Sequence, residues 1–373
     1  MKQDLEEILS KPIKYYIHRL IEKYGELDLS KPILLFGAGQ MGDIYYKNCK
    51  KNDISILGIF DNDIAKHSKV FAKNFKVKTP RDLDTFSRDT QIIVTSIFDE
   101  EIIKQLKKLG FSKVWSHAFA TTVFPQVFYN PYWLNNIEKI IKNKESVFES
   151  YSLFTDPLSR KTFMAILEYR LRLEKNNLTK LKQTIKHEYF DKKIVKASND
   201  EVFVDGGAYN GDTTKKFIKI SKGKFKNIIA FEPDSNLFNK LEQYVYKLND
   251  KRIVVYPYGL GKKNSTMKFT NDGTLGSRLS ETGGRLVKIV NLDNYLKLKP
   301  TFIKLDIEGS ELDALEGAKK IISKFHPKIT LSLYHKTEDL WEIPIYLKKL
   351  CPDYRFYMRH YSPFLYDTIC YAI

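Results

Sequence analysis

The sequence contains few cysteines and no long uncharged hydrophobic run. Only three of the 373 residues are cysteine, and they are too widely spaced for a disulfide framework or a Cys-x-x-Cys metal site. No stretch approaches the roughly 18 apolar residues that a membrane-spanning helix requires, and the first residues lack the apolar segment of a signal peptide. These absences predict a soluble cytoplasmic protein with reduced thiols and no membrane span.

Negative charge is also in short supply. Lysine and arginine number 62 against 45 acidic residues, which gives a formal net charge of +17. A basic chain favours anionic partners such as nucleic acid, a phosphorylated sugar or a membrane surface. The excess is mostly lysine scattered along the chain, and no RRM, KH or zinc-finger pattern accompanies it. Nucleic acid is therefore not the partner that we expect.

The order of strand-like and helix-like segments predicts two α/β domains. A chain of 373 residues with 43% hydrophobic content exceeds what one core usually supports. Short apolar runs alternate with amphipathic stretches over residues 31–120, which predicts a Rossmann-like parallel sheet in a first domain of residues 1–120. The alternation returns over residues 201–373, which predicts the second domain. Residues 121–200 carry helical periodicity and predict a helical connector. The last two runs, "RFYMRHYS" and "YDTICYAI", predict an antiparallel pair of strands.

The first domain begins with a glycine-rich turn that has dinucleotide spacing. In "ILLFGAGQMG", Gly37, Gly39 and Gly42 stand between a strand and a helix, and Asp61 follows roughly twenty residues later. The glycines let the backbone approach a phosphate, the helix N-terminus offers it N–H groups, and the acid can hold ribose hydroxyls. The following run resembles the nucleotide-sugar-binding domain of certain sugar acetyltransferases. A nucleotide or nucleotide-sugar site and a domain without a ligand both remain open.

The second domain begins with a different glycine-rich turn, "FVDGGAYNGDTT". Asp205 stands at a strand end before Gly207 and Gly211, and Glu232 ends the next strand. Methyltransferases place an acid at the first of these positions because S-adenosylmethionine presents an ammonium group instead of a pyrophosphate. A carboxylate at the second position can accept both ribose hydroxyls. The pattern predicts an S-adenosylmethionine site, and a purely structural domain is the alternative.

Further candidate cofactor contacts lie at the same edge of the predicted sheet. After the third strand, Tyr258 and Gly259 in "YPYGLG" are expected to flank the adenine ring. Ligands of such sheets bind in the crevice outside the carboxyl ends of the strands, where these residues stand. The two strand ends described above supply the remaining candidates: Tyr209, Asn210, Thr213, Pro233 and Asp234.

The motifs from residue 200 to residue 373 resemble the FkbM family of S-adenosylmethionine-dependent methyltransferases. The resemblance rests on the order and spacing of "VDGGAYNGDTT", "AFEPD", "YPYGLG", "VNLDNYL", "IKLDIEGSELDALEGA" and "RHYSPFLYDTICYA". It implies a class I domain with a seven-stranded sheet, preceded by a Rossmann-like domain as in the long-chain members. It also implies methyl transfer to a hydroxyl of a sugar or polyketide. The residues that carry over at matching positions are Gly207, Glu232, Asp306 and Glu308.

Two of these residues, Asp306 and Glu308, follow a predicted buried strand in "FIKLDIEGSELDALEGA". A hydroxyl is a poor nucleophile until its proton is accepted, and a carboxylate in a dry pocket can accept it. The alternative assigns both acids to the loop. Ser310 and Asp313 form a capping-box pattern, which explains the helix start without either acid. We therefore predict that at least one of the two acids takes part in methylation of oxygen.

Histidines at two later strand ends are further candidates. His335 in "LSLYHK" is predicted to bind the acceptor or to accept its proton, and His360 in "MRHYS" is a second candidate. Acids and imidazoles at one sheet edge could also bind a divalent metal that lowers the pKa of a hydroxyl, as in some oxygen methyltransferases. A lone histidine at a strand end is more often a hydrogen-bonding residue. The metal is therefore an alternative, and we assign no metal ligands from the sequence.

Together these features predict an S-adenosylmethionine-dependent methyltransferase that acts on a hydroxyl of a sugar, a nucleotide-sugar or a surface polysaccharide precursor. Two other classes of protein stay open. An NAD-dependent oxidoreductase would work from the turn between Gly37 and Gly42. A non-enzymatic protein would use both domains to bind a nucleotide-sugar and dock a partner of glycan assembly. The sequence is compatible with an oligomer.

Overall fold

The computed structural model describes residues 2–67, 69–71, 75–128, 136–269, 279–280 and 285–373. The chain divides into two units. The N-terminal unit comprises residues 6–142 and 168–174. The C-terminal unit comprises residues 1–5, 143–167 and 175–373. Residues 121–200, predicted as a connector, are thus divided between the units. A helix belongs to the unit whose core it packs against, and helical periodicity in the sequence does not show which core that is.

Helices occur in both units. None of the helices in the described residues is long and apolar enough to cross a bilayer. Short 3₁₀ turns cover Ile64–Lys66, Pro80–Thr85 and Ile185–His187. The α-helices are α1 Lys2–Ser10, α2 Ile13–Tyr24, α3 Gln40–Lys51, α4 Asp99–Lys108, α5 His117–Val123, α6 Ile137–Lys142, α7 Lys144–Leu153, α8 Pro157–Arg172, α9 Asn176–Leu181, α10 Asp212–Ile220, α11 Ser235–Leu248, α12 Leu292–Tyr295, α13 Glu311–Glu316, α14 Lys319–Phe325 and α15 Asp339–Leu350.

The N-terminal unit holds a six-stranded sheet. Its strands are β1 Ile33–Phe36, β2 Ile56–Phe60, β3 Val70–Phe71, β4 Phe75–Lys78, β5 Gln91–Val94 and β6 Val114–Ser116. The order is β3-β4-β2-β1-β5-β6, and every pair is parallel except β3 with β4. Strands β1, β2, β5 and β6 lie in the apolar runs from which the parallel sheet was predicted. The sequence did not predict β3 and β4, because both are short and carry exposed positions at one edge of the sheet.

The C-terminal unit holds two sheets. Their strands are β7 Val202–Gly206, β8 Asn227–Phe231, β9 Ile253–Tyr256, β10 Tyr258–Leu260, β11 Ser265–Phe269, β12 Leu279–Ser280, β13 Arg285–Val290, β14 Phe302–Leu305, β15 Lys328–Ser332, β16 Phe356–His360 and β17 Thr368–Ala372. The larger sheet has seven strands in the order β16-β17-β15-β14-β7-β8-β9. The smaller sheet, in the order β10-β13-β11-β12, was not predicted.

The seven-stranded sheet is parallel from β15 to β9 and antiparallel at its other end. The predicted pairing of the last two strands is confirmed, since β16 and β17 run antiparallel from Phe356 opposite Ala372 to His360 opposite Thr368. In a doubly wound sheet, ligands bind outside the carboxyl ends of the parallel strands. Those ends, after β7, β8, β14 and β15, are therefore where a site is expected.

Aromatic packing fixes the central strands of this sheet. Phe203 of β7 stacks on Phe217 of α10 with ring centroids 4.2 Å apart, and Phe190 packs edge-on against Phe302 of β14 at 5.7 Å. All four rings are buried. Burying one such ring stabilises a fold by about 1.5–3 kcal/mol. Because Phe190 is held in this core, the neighbouring Tyr189 is placed beside the end of β14.

Candidate functional site

The turn after β7 is built around glycines with left-handed backbones. Gly207 has a φ of +73°, and a Cβ atom there would lie 1.8 Å from the carbonyl oxygen of Asp306. Gly211 has a φ of +88° and caps α10. A side chain at the first position would force apart the ends of β7 and β14. The predicted glycines thus bring residues 207–211, the predicted cofactor turn, into contact with the loop that begins at Asp306.

Glu232 joins the end of β8 to the same turn. Its Oε2 accepts a hydrogen bond from the backbone N–H of Tyr209, and its Oε1 accepts one from the N–H of Asp234, each at 2.8 Å. Burial raises the pKa of Glu232 to about 7, although both N–H donors act in the opposite direction. The side chain is therefore held in one position at the edge where a ribose acceptor is expected.

Asp205 is fully buried inside the turn. Its Oδ2 accepts a hydrogen bond from the hydroxyl of Thr214 at 2.9 Å, and its Oδ1 lies 3.2 Å from Nζ of Lys304. Lys304 is buried as well and donates to the carbonyl oxygens of Gly206 and Gly207 at 3.1 and 2.7 Å. The carboxylate of Asp205 is thus already bound to a lysine and a hydroxyl, and it holds the shape of the turn. These contacts do not support the expected direct contact between Asp205 and the ammonium group of S-adenosylmethionine.

Asp306 accepts hydrogen bonds from three hydroxyl groups. Tyr189 donates to Oδ2 at 2.8 Å, while Ser332 and Tyr334 donate to Oδ1 at 2.9 and 3.4 Å. Burial alone would raise the pKa of Asp306, but Lys304 and these donors, together with a nearby histidine, lower it below its ordinary value. The carboxylate is therefore ionised at neutral pH and fixed in orientation.

His335 follows β15 and contacts the acids of this site. Its Nδ1 lies 2.9 Å from Oε1 of Glu311, and its Nε2 lies 3.5 Å from Oδ1 of Asp306 and 3.6 Å from Oε2 of Glu308. Burial opposes a charge on the ring, but the three carboxylates outweigh burial and raise the pKa of His335 to about 10. An imidazolium has no lone pair, so in this state His335 can orient the acids but cannot accept a proton as predicted.

Glu308 occupies an unusual backbone conformation. Its φ is +55°, and it is followed by Gly309 at +94°. A residue with a bulky side chain costs about 1–3 kcal/mol in such a region, and strain of this kind clusters at functional sites. The Glu308 side chain is 37% exposed, compared with 27% for Asp306 and 8% for His335. Of these three side chains, Glu308 is thus the most accessible to a ligand.

Tyr258, a predicted adenine contact, belongs to a cluster of aromatic rings. Tyr258 stacks on Tyr256 with ring planes 11° apart, and Tyr295 packs edge-on against both. Gly259 is buried, and a Cβ atom there would lie 2.7 Å from a methyl carbon of Ile289. The flat face of this cluster and the closely packed glycine are compatible with a neighbouring planar ring.

The remaining candidates have mixed environments. Tyr209 and Asn210 are exposed, Pro233 is half-buried and Thr213 is buried. Asp234 is buried as the N-cap of α11, where it accepts hydrogen bonds from the N–H groups of Asn236 and Leu237, so it already has a structural role. His360 is fully buried, with Nδ1 2.9 Å from the Thr368 hydroxyl, and burial lowers its pKa to about 4. It is therefore a neutral core residue.

The N-terminal unit repeats the plan of the cofactor turn. A Cβ atom at Gly42 would lie 2.0 Å from the carbonyl oxygen of Gly37, so close packing requires glycine at position 42. Gly39 is exposed, and a Cβ atom there would meet no atom within 4 Å. Open space therefore lies in front of the Gly39 backbone, at the start of α3, and the N-terminus of a helix favours an anion.

Asp61 ties the end of β2 to this first turn, as Glu232 does in the C-terminal unit. Its Oδ2 accepts hydrogen bonds from the Ala38 N–H at 2.7 Å and from Nζ of Lys66 at 2.9 Å. Burial acts to raise the pKa of Asp61, but the donors, including the N–H of Asp63, lower it overall. The acid at the predicted ribose position is thus ionised and paired with a cation.

Three residues of the C-terminal site were missed from the sequence. Lys304 could have been found as the lone charge within an apolar strand next to an acid, since a buried lysine needs an anionic partner. Tyr189 lies in the segment predicted as connector, and Glu311 lies in the first turn of α13. No pattern in the sequence marks their contacts with Asp306 and His335, because those contacts arise only from packing.

Comparison with known families identifies the C-terminal part of the chain. Residues 205–362 match the methyltransferase FkbM domain. The chain carries an FkbM methyltransferase domain. This range includes the cofactor turn, Glu232, and the cluster of Asp306, Glu308 and His335, and the resemblance stated from the sequence is confirmed. Residues 29–114, which include the turn around Gly39, match the C2185-like N-terminal domain.

Two relatives place the FkbM methyltransferase domain in context. Over 135 residues the chain is 27% identical to the hexuronic acid methyltransferase AglP of Haloferax volcanii. The match covers 33% of this chain and 52% of that protein, so the chain spans about half the length of this curated relative. The crystal structure of methyltransferase FkbM from Methylobacillus flagellatus KT superposes with a TM-score of 0.79 at 23% identity, covering 99% of this chain and 97% of that chain. That likeness confirms the expected fold of two α/β domains.

Proposed function

We propose that the FkbM methyltransferase domain transfers the methyl group of S-adenosylmethionine to a hydroxyl of a sugar, a nucleotide-sugar or a surface polysaccharide precursor. The observation that carries the proposal is the pair of carboxylates after β14, Asp306 and Glu308, arranged around His335 next to the glycine turn. The similarity to a hexuronic acid methyltransferase supports a sugar acceptor. A methyl group placed on oxygen requires a proton acceptor, and these two acids are the candidates.

In the proposed reaction, one of these carboxylates accepts the proton of the acceptor hydroxyl. The acceptor oxygen attacks the methyl carbon, a new carbon–oxygen bond forms, and the carbon–sulfur bond breaks to leave S-adenosylhomocysteine. The hydroxyl proton passes to a carboxylate in the same step. Asp306 is engaged by Tyr189 and Ser332, whereas Glu308 is the more exposed acid, so we assign the proton to Glu308. The imidazolium of His335 holds both carboxylates in position.

A comparison of cofactors distinguishes this proposal from its two competitors. Calorimetric titration of the full chain should detect S-adenosylhomocysteine binding at one site, and NADH should give neither comparable binding nor redox turnover. An oxidoreductase working from Gly37 to Gly42 would show the reverse. A docking protein would bind a nucleotide-sugar but would transfer no methyl group.

Glu232 provides the first prediction for this site. Glu232→Ala should weaken S-adenosylmethionine about ten- to a hundred-fold, because a charge-assisted contact to ribose is worth about 1.5–3 kcal/mol. Since the pKa of Glu232 is about 7, wild-type affinity should fall as the pH drops through that value and the carboxylate is protonated. Calorimetry at pH 6 and pH 8 measures both effects. Glu242→Ala, an exposed glutamate on α11, is the matched control, and equal affinities for all three proteins would remove Glu232 from the site.

We infer a second binding function for the N-terminal unit, recognition of a nucleotide or nucleotide-sugar at the turn around Gly39. The open space at Gly39, the N-terminus of α3 and the ionised Asp61 support it. Asp61 is tied to its glycine turn through the Ala38 N–H in the same way that Glu232 is tied to Tyr209.

Gly39→Val should abolish nucleotide-sugar binding to the N-terminal unit and leave S-adenosylmethionine binding unchanged. A valine side chain fits the fold there, because nothing lies within 4 Å of the added Cβ atom, but it fills the space that a phosphate would enter. A thermal-shift screen with nucleotides and nucleotide-sugars measures this. If no such ligand stabilises the wild-type protein, the unit is a structural domain without this site.

A further inference from the structure

One ring nitrogen of His335 is buried without a hydrogen-bond partner. The His335 side chain is 8% exposed, and its Nδ1 is occupied by Oε1 of Glu311 at 2.9 Å. Nε2 has no hydrogen-bond partner among the described residues. A buried polar atom that lacks a partner is costly, so such atoms in native proteins usually mark a bound water, an ion or a catalytic role.

Two carboxylate oxygens lie on the Nε2 side of the ring. Oδ1 of Asp306 is 3.5 Å from Nε2, and Oε2 of Glu308 is 3.6 Å from it. These distances are longer than a charge-assisted hydrogen bond, which is about 2.8 Å. They are close to the separation of about 3.3 Å between neighbouring ligand atoms of a tetrahedral ion with bonds of about 2.0–2.1 Å. Each of the two carboxylates therefore lies about one ligand separation from Nε2, which leaves space beside Nε2 for a small cation.

Glu311 supplies the second feature of a metal-binding histidine. Its carboxylate is fully buried, and Oε1 is held by the backbone N–H of Ile307 at 2.9 Å as well as by His335. Donation of Nδ1–H to a buried carboxylate fixes the ring orientation and leaves Nε2 for a metal, as in carboxylate–histidine–zinc triads. The donor atoms of Asp306, Glu311 and His335 all lie within 4.8 Å of one another.

We propose that one divalent cation replaces the Nε2 proton of the His335 imidazolium and is bound by His335, Asp306 and Glu308. Glu311 orients the ring through Nδ1. One imidazole and two carboxylates suit Zn²⁺ or Mn²⁺ better than Ca²⁺, which prefers oxygen alone. Three protein ligands leave a coordination position for a hydroxyl oxygen, whose pKa the cation lowers. This last consequence rests on the proposed methyl transfer, whereas cation binding itself does not.

Binding of the cation can be measured without an acceptor. Full-length protein treated with chelator and dialysed is titrated calorimetrically with Zn²⁺ and, separately, with Mn²⁺ and Mg²⁺. We expect one equivalent of Zn²⁺ or Mn²⁺ to bind and to raise the melting temperature. His335→Gln and Asp306→Asn should each lose this binding, and Glu311→Gln should weaken it about ten- to a hundred-fold. Asp250→Asn removes a surface carboxylate paired with Arg252 and should leave it unchanged.

Several outcomes would overturn the proposal. If the wild-type protein binds none of the three ions, Nε2 keeps its proton and there is no cation site. If Glu308→Gln and the control Asp250→Asn both bind the ions as the wild type does, the cation does not bind at this cluster. Glu308 is partly exposed, so its variant keeps the test valid even if His335→Gln fails to fold. Methyl transfer that continues in chelator, in a protein without bound ion, would refute the role of the cation and leave the proposed methyl transfer intact. Cation binding in a protein that does not bind S-adenosylhomocysteine would refute the methyl transfer alone.

Discussion

Replacing Glu308 by glutamine should lower methyl-transfer turnover by roughly two to four orders of magnitude. The amide keeps the shape of the side chain and cannot take up the acceptor proton. Asp306→Asn should cause a loss of similar size, because the carboxylate that lies 3.5 Å from His335 becomes neutral and the charge balance of the cluster is lost. Single-turnover kinetics with saturating cofactor measure both variants.

Cofactor affinity separates this chemical effect from a general disturbance of the site. Neither acid is assigned to ribose or adenine, so the affinity for S-adenosylmethionine should change little in both variants. Glu316→Gln, a glutamate on α13 that pairs with Lys262, serves as the matched control and should retain full turnover. Full turnover in Glu308→Gln and in Asp306→Asn would mean that both acids serve only the loop.

Replacing Lys304 by methionine should destabilise the C-terminal unit by about 3–5 kcal/mol, because it leaves the fully buried Asp205 without its counter-ion. Burial acts against the charge on Lys304, but Asp205 and Asp306 outweigh it and raise the pKa of the lysine. Burial raises the pKa of Asp205, although Lys304 and Thr214 act in the opposite direction, so the aspartate depends on this lysine to stay ionised. Differential scanning calorimetry should show the transition of this unit lowered by roughly 10 °C.

A double variant tests whether the loss comes from the unpaired charge. Asp205→Asn combined with Lys304→Met removes both charges and should recover much of the lost stability, since replacing a whole buried pair is often close to neutral. Asp205→Asn alone should be destabilising, as it leaves a buried ammonium group. If the double variant is as unstable as the sum of the two single variants, the coupling between them is absent and packing explains the effect.

The sequence predicts the features that depend on local chain order. Strand ends follow from apolar runs, and the position of Asp306 and Glu308 after β14 follows from the strand before them. The meeting of His335 with these acids follows from parallel strands that end at one edge. The glycine turn could be assigned to the end of β7 because the glycines directly follow an apolar run in the sequence.

The sequence does not predict which partner each side chain meets. Asp205 was expected to face a ligand, but Lys304 of the neighbouring strand turns it into a buried ion pair. His335 was expected to bind the acceptor or to accept its proton, and the second role is disfavoured because three carboxylates brought together by folding raise its pKa to about 10. In both cases the role depends on charges that are distant along the chain, and periodicity or spacing carries no information about them.

Transfer of labelled methyl groups tests the central claim most directly. The full chain is incubated with methyl-labelled S-adenosylmethionine and a panel of sugars, nucleotide-sugars and oligosaccharides, and the products are treated with mild alkali before mass spectrometry. We expect label on a sugar that survives alkali, because a methyl ether formed on a hydroxyl is stable there, and we expect almost none from Glu308→Gln. Label that alkali releases would indicate a methyl ester on a carboxylate and would contradict methylation of a hydroxyl. Label on nitrogen, or undiminished transfer by Glu308→Gln, would contradict methylation of a hydroxyl through these acids.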